Sequence, residues 1–518
     1  MKKICVVLIL LLTLLAGLGV GQEASSRMTL EACLLRALEK NLDLRIQIIE
    51  PEIADAAVTR AFEKFLPTLS FSGGAESNRS ASFSFLDAAD NVITRFDDYG
   101  GQFRQELPTG GFVLASLYTY KNETNRNFQT INPRYGSQLT FTFSQPLLRN
   151  FGYRIPRKEI LIARQTRDRA DNTAKQAVLD TLYNTETAYW NLVFAIEDLG
   201  VKRQSFKLAQ NTLDRNRTER QVGIVAPIEV LTAEAEAASR EADIIQAESL
   251  VKSREDALRN LLDMRTPVGE TPAPLVPADT PTSEDRRISI ESAVATALST
   301  RPELSSVRSN VQSKALELTY ARNQLLPDLS LNLSYWSPGV SGTQILYQDN
   351  NPFTGVVVGT IPGLAAAAMK DAVGFHYKNW SLALTLSVPL NSILTRAAAV
   401  QAGWDAERTR LELEKTEQQI ILEVRNSLRD IETNAKRVNS YEIARQLAEK
   451  KLEGEERKVK VGLSTNYTLL QVQRDLAALQ SQELQARIDY ALSQARLDKA
   501  MGTSLERRNI RWTSPLEK

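Results

Sequence analysis

The chain has 518 residues, with 63 basic against 62 acidic side chains and a single histidine, His376. Near-neutral charge without a basic block argues against nucleic acid as a partner. A single histidine excludes His-pair metal sites, and with Cys33 remote from it in sequence no nucleophilic triad is expected; no catalytic residue, metal ligand or cofactor is expected.

At the start, Lys2-Lys3 precede an apolar stretch, Ile4 to Leu15, and small residues 17–21. This order reads as a signal peptide over 1–21, and the apolar stretch is too short to span a bilayer comfortably. Leu15-Ala16-Gly17-Leu18 has Leu where a lipoprotein would carry Cys, so no lipid anchor is expected. No later run of about 20 apolar residues exists, so no membrane helix is expected. Cys5 leaves with the signal, and Cys33, among Leu34, Ala37 and Leu38, reads as a buried thiol.

The mature chain repeats itself. Leu30-Glu31-Ala32 to Leu44 and Leu66-Pro67-Thr68-Leu69-Ser70 return 260 residues later as Ile290-Glu291-Ser292 to Leu304 and Leu326-Pro327-Asp328-Leu329-Ser330. One repeat is expected over 22–264 and a second over 289–502, with a Pro-rich linker 265–288 and a tail 503–518. Long proline-free runs permit long helices. Val178, Leu182, Thr185, Tyr189, Leu192, Ile196 and Leu199 alternate steps of three and four, as do Ile421, Val424, Leu428, Ile431, Ala435 and Val438. That is the seam of helices packed side by side.

Val222-Gly223-Ile224 and Val461-Gly462-Leu463 interrupt these runs 239 residues apart. Glycine ends a helix by taking the left-handed conformation. Pro227 suits a first helical turn, and Ser464 and Thr465 are N-cap candidates. Each break therefore predicts a turn between antiparallel helices. The lengths predict helices at 45–65 and 227–263 opposite one at 154–221, and at 303–325 and 465–501 opposite one at 393–461. Each path is roughly 90–100 Å long.

Between the helices the period falls to two. Strands are expected near 67–80, 135–147, 327–336 and 378–390. Leu139, Phe141 and Phe143, Leu329, Leu331, Leu333 and Tyr335, and Leu382, Leu384, Leu386 and Val388 each alternate with small polar residues. This suits a barrel with lipid outside and water inside, and equally a soluble sandwich. Residues 66–153 hold 15 of the 35 aromatic residues, which favours the membrane barrel and its interfacial girdles. Four strands cannot close a barrel, and an open edge cannot face lipid, so copies of the chain must share one.

Repeat, turns and strands together resemble the TolC family of outer-membrane efflux proteins. The likeness is carried by Leu30-Glu31-Ala32 with Ala37-Leu38 and Asn41, by Glu291, Ala297-Leu298 and Arg301-Pro302, by Leu66-Pro67 and Leu326-Pro327, by Gln145-Pro146-Leu147-Leu148 and Val388-Pro389-Leu390, and by the two Val-Gly turns. The resemblance implies an α+β membrane protein, internally duplicated. A shared transmembrane barrel, with about four strands per protomer, would be continuous with a long periplasmic helical coiled-coil barrel. It implies a homotrimer in the outer membrane of a Gram-negative bacterium, in contact with outer-membrane lipid. Its partners would be a periplasmic adaptor (membrane fusion) protein and an inner-membrane pump or ABC exporter. The role implied is the passive exit channel of multidrug efflux or type I secretion. Short helices at 29–40 and 289–300, the linker and the tail would form a belt.

By the same resemblance Val222, Gly223, Ile224, Val461, Gly462 and Leu463 would contact the adaptor, and Glu229, Thr468 and Gln471 would stand near a tunnel constriction. Thr468 and Gln471 depart from the acidic pattern of such constrictions, and Glu229 equally suits a first helical turn. Pro67, Pro146, Pro327 and Pro389 would mark helix–strand junctions. Residues 105–112 read as a turn between two extra strands of the insert 81–134, which either extend an external hairpin, the preferred reading, or enlarge the barrel to six strands per protomer. Residues 337–376 read as a long external loop. The rival expectation is a soluble periplasmic coiled-coil adaptor or scaffold, which leaves the alternating strands without a purpose.

Overall fold

A computed structural model of the chain describes residues 26–84, 87, 89–265, 273–281, 288–514 and 516. The expected signal peptide and parts of the linker and tail lie outside the described residues. The elements in order are β1 (Ser26–Met28), α1 (Leu30–Lys40), α2 (Leu42–Ala61), β2 (Thr68–Ala81), β3 (Asn91–Glu106), β4 (Phe112–Thr124), β5 (Ile131–Pro146), α3 (Lys158–Gln221) and α4 (Pro227–Leu261). Then follow β6 (Leu275–Pro277), α5 (Ile290–Thr300), α6 (Pro302–Asn323), β7 (Asp328–Tyr347), β8 (Val357–Ile361), α7 (Ala365–Val373), β9 (Asn379–Ser387), α8 (Ile393–Lys460), α9 (Asn466–Met501) and α10 (Ser504–Arg507). The helices form where periodicity and proline spacing place them. With 64 residues in α3 and 68 in α8, they are about 96 and 102 Å long.

Two compact units result, one of residues up to 51, 170–306 and from 414, the other of 52–169 and 307–413. The first is helical. The Thr29 hydroxyl accepts the Ala32 N–H at 3.3 Å, and the Ser289 hydroxyl accepts the Ser292 N–H at 3.2 Å, so the repeated helices α1 and α5 start on the same cap. Cys33, Leu34 and Ala37 of α1 bury against Val178, Leu182, Leu192 and Val193 of α3, with Leu258 and Leu262. Cys33 is fully buried, and desolvation pushes its thiol up to about 11, so it packs as a small apolar group. In the second repeat Val424 and Ile431 of the expected stripe are buried, Ile421, Leu428 and Val438 are half-buried and Ala435 is exposed, while Ile420 and Ser427, beside the stripe, are buried.

The first unit also contains a pairing that no sequence pattern announces. The three-residue strands β1 and β6 run parallel, Arg27 opposite Val276. Tyr189, wholly buried in α3, secures them. Its hydroxyl donates to Asp279 Oδ2 at 2.9 Å and accepts the Ala278 and Asp279 N–H groups at 3.2 Å. Asp279 also accepts the Leu30 N–H at 2.6 Å, which joins the linker to the start of α1.

The second unit holds the N-terminal ends of the long helices and a single antiparallel sheet in the order β2-β3-β4-β5-β7, with β9 and β8 both on the outer edge of β7. Two expectations are corrected here. The insert 81–134 does not extend a hairpin beyond the sheet. Its strands β3 and β4 lie inside the sheet and pair along their length, from Thr68 opposite Arg104 to Ala81 opposite Asn91, and from Phe112 opposite Ser144 to Asn122 opposite Arg134. The sheet therefore holds three strands beyond the four read from alternation: these two and the short β8. Nor is 337–376 wholly a loop: β7 continues to Tyr347, and α7 packs on the sheet, with Ser337 Oγ 3.4 Å from the Asp371 carbonyl. Phe375, just after α7, stacks on Tyr335 and Phe141 at 5.4 and 6.1 Å.

Register separates the faces. Leu69, Phe103, Ala115, Phe141, Tyr335 and Trp380 form one row across six strands. Thr68, Arg104, Leu114, Thr142, Ser334 and Ser381 form the neighbouring row on the other face. The first face is apolar and the second mostly polar, because side chains alternate along each strand and cross-strand partners share a side. No helix among the described residues is long and apolar enough to cross a membrane, a statement that does not concern strands.

Candidate functional site

The two helix turns are built alike. Gly223 and Gly462 take φ of +78° and +74°, the left-handed conformation that costs other residues energy. The Ile224 N–H returns to the Glu219 carbonyl and the Leu463 N–H to the Lys458 carbonyl, each at 2.9 Å, which satisfies the last carbonyls of α3 and α8. Beyond the turns, Pro227 opens α4, and the Thr465 hydroxyl caps α9 by accepting the Thr468 N–H at 3.2 Å. Ser464, the other cap candidate, instead donates to Glu455, and this bond, with Lys458, holds the carboxyl of Glu455 below its usual range. Cross-helix contacts make each pair a hairpin: Arg217 with Glu234 at 2.8 Å, and Arg437 with Asp489 at 3.1 Å.

The turn residues Val222, Ile224, Val461 and Leu463 are exposed, Ile224 at 73% and Leu463 at 78%. Ile228 and Tyr467 extend the apolar surface. Exposed aliphatic groups on two equivalent turns form a surface suited to apolar contact with a partner.

Of the expected constriction residues, Glu229 and Thr468 are half-buried in the first turns of α4 and α9, and Gln471 is exposed one turn on. Asn216 Nδ2 donates to the Glu229 carbonyl at 3.3 Å, so that turn is tied back to α3. Pro67, Pro327 and Pro389 stand beside the ends of β2, β7 and β9, and Pro146 is the last residue of β5. Near them Arg149 pairs with Asp328 at 2.5 Å.

Farther along the hairpins lies a charge cluster that sequence reasoning missed. Buried Arg240 of α4 donates to Glu236 at 2.9 Å, to Ser205 of α3 and to the Leu470 carbonyl of α9 at 3.4 Å. Arg474 of α9 reaches the same carboxylate at 3.2 Å. Burial would raise the Glu236 carboxyl, but the Arg474 and Arg240 hydrogen bonds outweigh it and hold the group below its usual range. These residues lie on three helices and are ordinary surface charges in one dimension, so their meeting leaves no local signal.

A sheet with one apolar face, exposed at Leu69, Phe103 and Trp380 and covered by Phe375 at Tyr335 and Phe141, and one mostly polar face, in a duplicated chain with paired helices of this length, defines a channel-forming membrane protein. A soluble scaffold would leave Leu382, Leu384 and Leu386 in water. The chain belongs to the outer membrane efflux protein family, whose model matches residues 34–263 and 293–503, one match in each repeat. No curated protein matches it. Among solved structures it is similar to the CmeC outer membrane channel of Campylobacter jejuni, at 17% identity and a TM-score of 0.64, over 92% of this chain and 85% of that one. VceC of Vibrio cholerae shares 16% identity with a TM-score of 0.63, over 91% and 96% of the two chains. The open state of MtrE from Neisseria gonorrhoeae shares 17% with a TM-score of 0.61, over 92% and 89%. These likenesses establish the fold. The protein is an outer-membrane exit channel with a large periplasmic part, and it is not an enzyme.

Proposed function

We propose that three copies assemble into one duct, with the sheets sharing a barrel in the outer membrane and the helices lining a periplasmic tunnel. The turns at Val222-Gly223-Ile224 and Val461-Gly462-Leu463 receive the helical hairpins of a periplasmic adaptor, which links the duct to an inner-membrane pump or ABC exporter. Energy and most of the selectivity come from that pump, so multidrug efflux and type I secretion use the same passive path. Residues 22–264 and 289–502 act as equivalent halves, and Glu229, Thr468 and Gln471 stand at the tunnel's narrow end.

The observation that carries the adaptor reading is the matched pair of exposed aliphatic turns. Such groups lose water favourably, at about 25 cal/mol per Å² buried. Photo-crosslinkers at Ile224 and Leu463 in intact envelopes test it. A covalent adduct with a periplasmic protein of helical-hairpin type is expected at both sites. Adducts at neither site, in cells that still export, would remove the tips from the docking surface.

A further inference from the structure

We propose that each copy supplies six strands to the membrane, so that three copies close an eighteen-stranded barrel. This rests on the three-copy duct proposed above. The evidence is the insert 81–134. Its strands β3 and β4 stand between β2 and β5, which are not paired with each other. Removing β3 and β4 from the membrane would break the register on both sides of them, 14 pairs with β2 and 11 with β5.

Their side chains suit lipid where lipid would be met. The apolar row from Leu69 to Trp380 passes through Phe103 of β3 and Ala115 of β4 without a break. The next row on that face brings Phe71, Gly101, Leu117 and Leu139 together. On the opposite face, Gln102 and Ser116 continue the polar row between Ser70 and Thr140. A hairpin lying in water outside the bilayer would have no reason to keep the lipid face and the water face of its neighbours in phase.

The edges impose the count. Among the described residues β2 pairs only with β3, and β9 only with β7, and both strands are exposed on nearly all of their length. An unpaired edge is not tolerated in hydrocarbon, so the occupant of each edge is a second copy of this chain. Six antiparallel strands leave β2 and β9 running in opposite directions. Identical copies in one orientation can therefore join β2 to β9 with antiparallel pairing. The barrel then holds a multiple of six strands. With strands about 4.8 Å apart and tilted about 40°, twelve strands enclose a cylinder about 24 Å across and eighteen about 36 Å.

The test uses full-length protein with Cys33→Ala and single nitroxide labels at Phe103→Cys, Ala115→Cys, Leu384→Cys and the loop position Phe83→Cys, in phosphatidylcholine vesicles. Collision with oxygen reports lipid and collision with a nickel chelate reports water. The oxygen-to-nickel ratio at 103 and 115 is expected to equal that at 384 and to exceed that at 83 by about fivefold or more. Images of the unlabelled trimer should show eighteen strands. Water-exposed labels at 103 and 115 beside a lipid-exposed label at 384, or a twelve-stranded barrel, would overturn the inference and leave the channel intact. A water-exposed label at 384 would overturn the membrane duct itself.

Discussion

The Tyr189 hydroxyl meets the Asp279 carboxylate, the Met28 carbonyl and two backbone N–H groups, and so ties the Ala278-Asp279 segment that follows β6 to α3. Tyr189→Phe removes the partner of the Asp279 N–H and one of the two partners of the Ala278 N–H and of Asp279 Oδ2, a cost of about 1–3 kcal/mol. Hydrogen exchange at Ala278 and Asp279 should accelerate, while the distant turns at Gly223 and Gly462 keep their rates. Burial, with Asp279 nearby, pushes the Tyr189 phenol from 10.0 up to about 12. A phenol that is harder to ionise when folded gives stability that is whole below pH 10 and is lost as pH rises toward 12. Gly462 is a gentler case. No atom lies within 4 Å of the Cβ that Gly462→Ala would add, so the φ of +74° alone sets the cost, about 1–2 kcal/mol. Ile224→Asp with Leu463→Asp changes two side chains that are largely exposed. Export should fall at least tenfold while recovery in the outer membrane stays unchanged, because only the proposed docking surface is altered.

Among elements, the α4–α9 contact depends on charge. Glu236 is shared by Arg240 and Arg474, and its carboxyl titrates below the ordinary 4.5. A depressed carboxyl contributes stability above its unfolded value and loses it as pH falls through the folded one. Acid below pH 4.5 should therefore loosen these helices first, read as a distance change between labels on α4 and α9, and Glu236→Gln should show the loosened distance already at pH 7. Their charges lay in the sequence without their meeting, since three helices had to pack before Arg240 could reach Ser205 and Leu470. The strands show the same contrast. Leu382, Leu384 and Leu386 announce β9 by strict alternation. In β3, Gly100 and Gly101 interrupt the pattern, and β4 carries Val113 and Leu117 on one face but Leu114 and Tyr118 on the other. Local period is therefore a poor guide to these two strands, and hydrogen-bond register is what places them.

For the whole molecule, a charge on the apolar face of the sheet should act against insertion. Leu384→Arg is expected to cost about 2–4 kcal/mol per copy near the bilayer middle. The measurement is the fraction of chain recovered as membrane-embedded oligomer, which should drop sharply, whereas Ser381→Arg on the opposite face should be tolerated. By itself the sequence determined the duplication, the long helices, the two glycine turns and the strands that begin after Pro67 and Pro327. Each of these is written in local spacing, as a period of three and four, a period of two, or a residue with a preferred φ. Tertiary structure alone decided that β3 and β4 join the sheet, that β6 docks under Tyr189, and that Glu236 gathers two arginines. These depend on groups distant in the chain coming within hydrogen-bond reach, and residue spacing carries no record of such meetings.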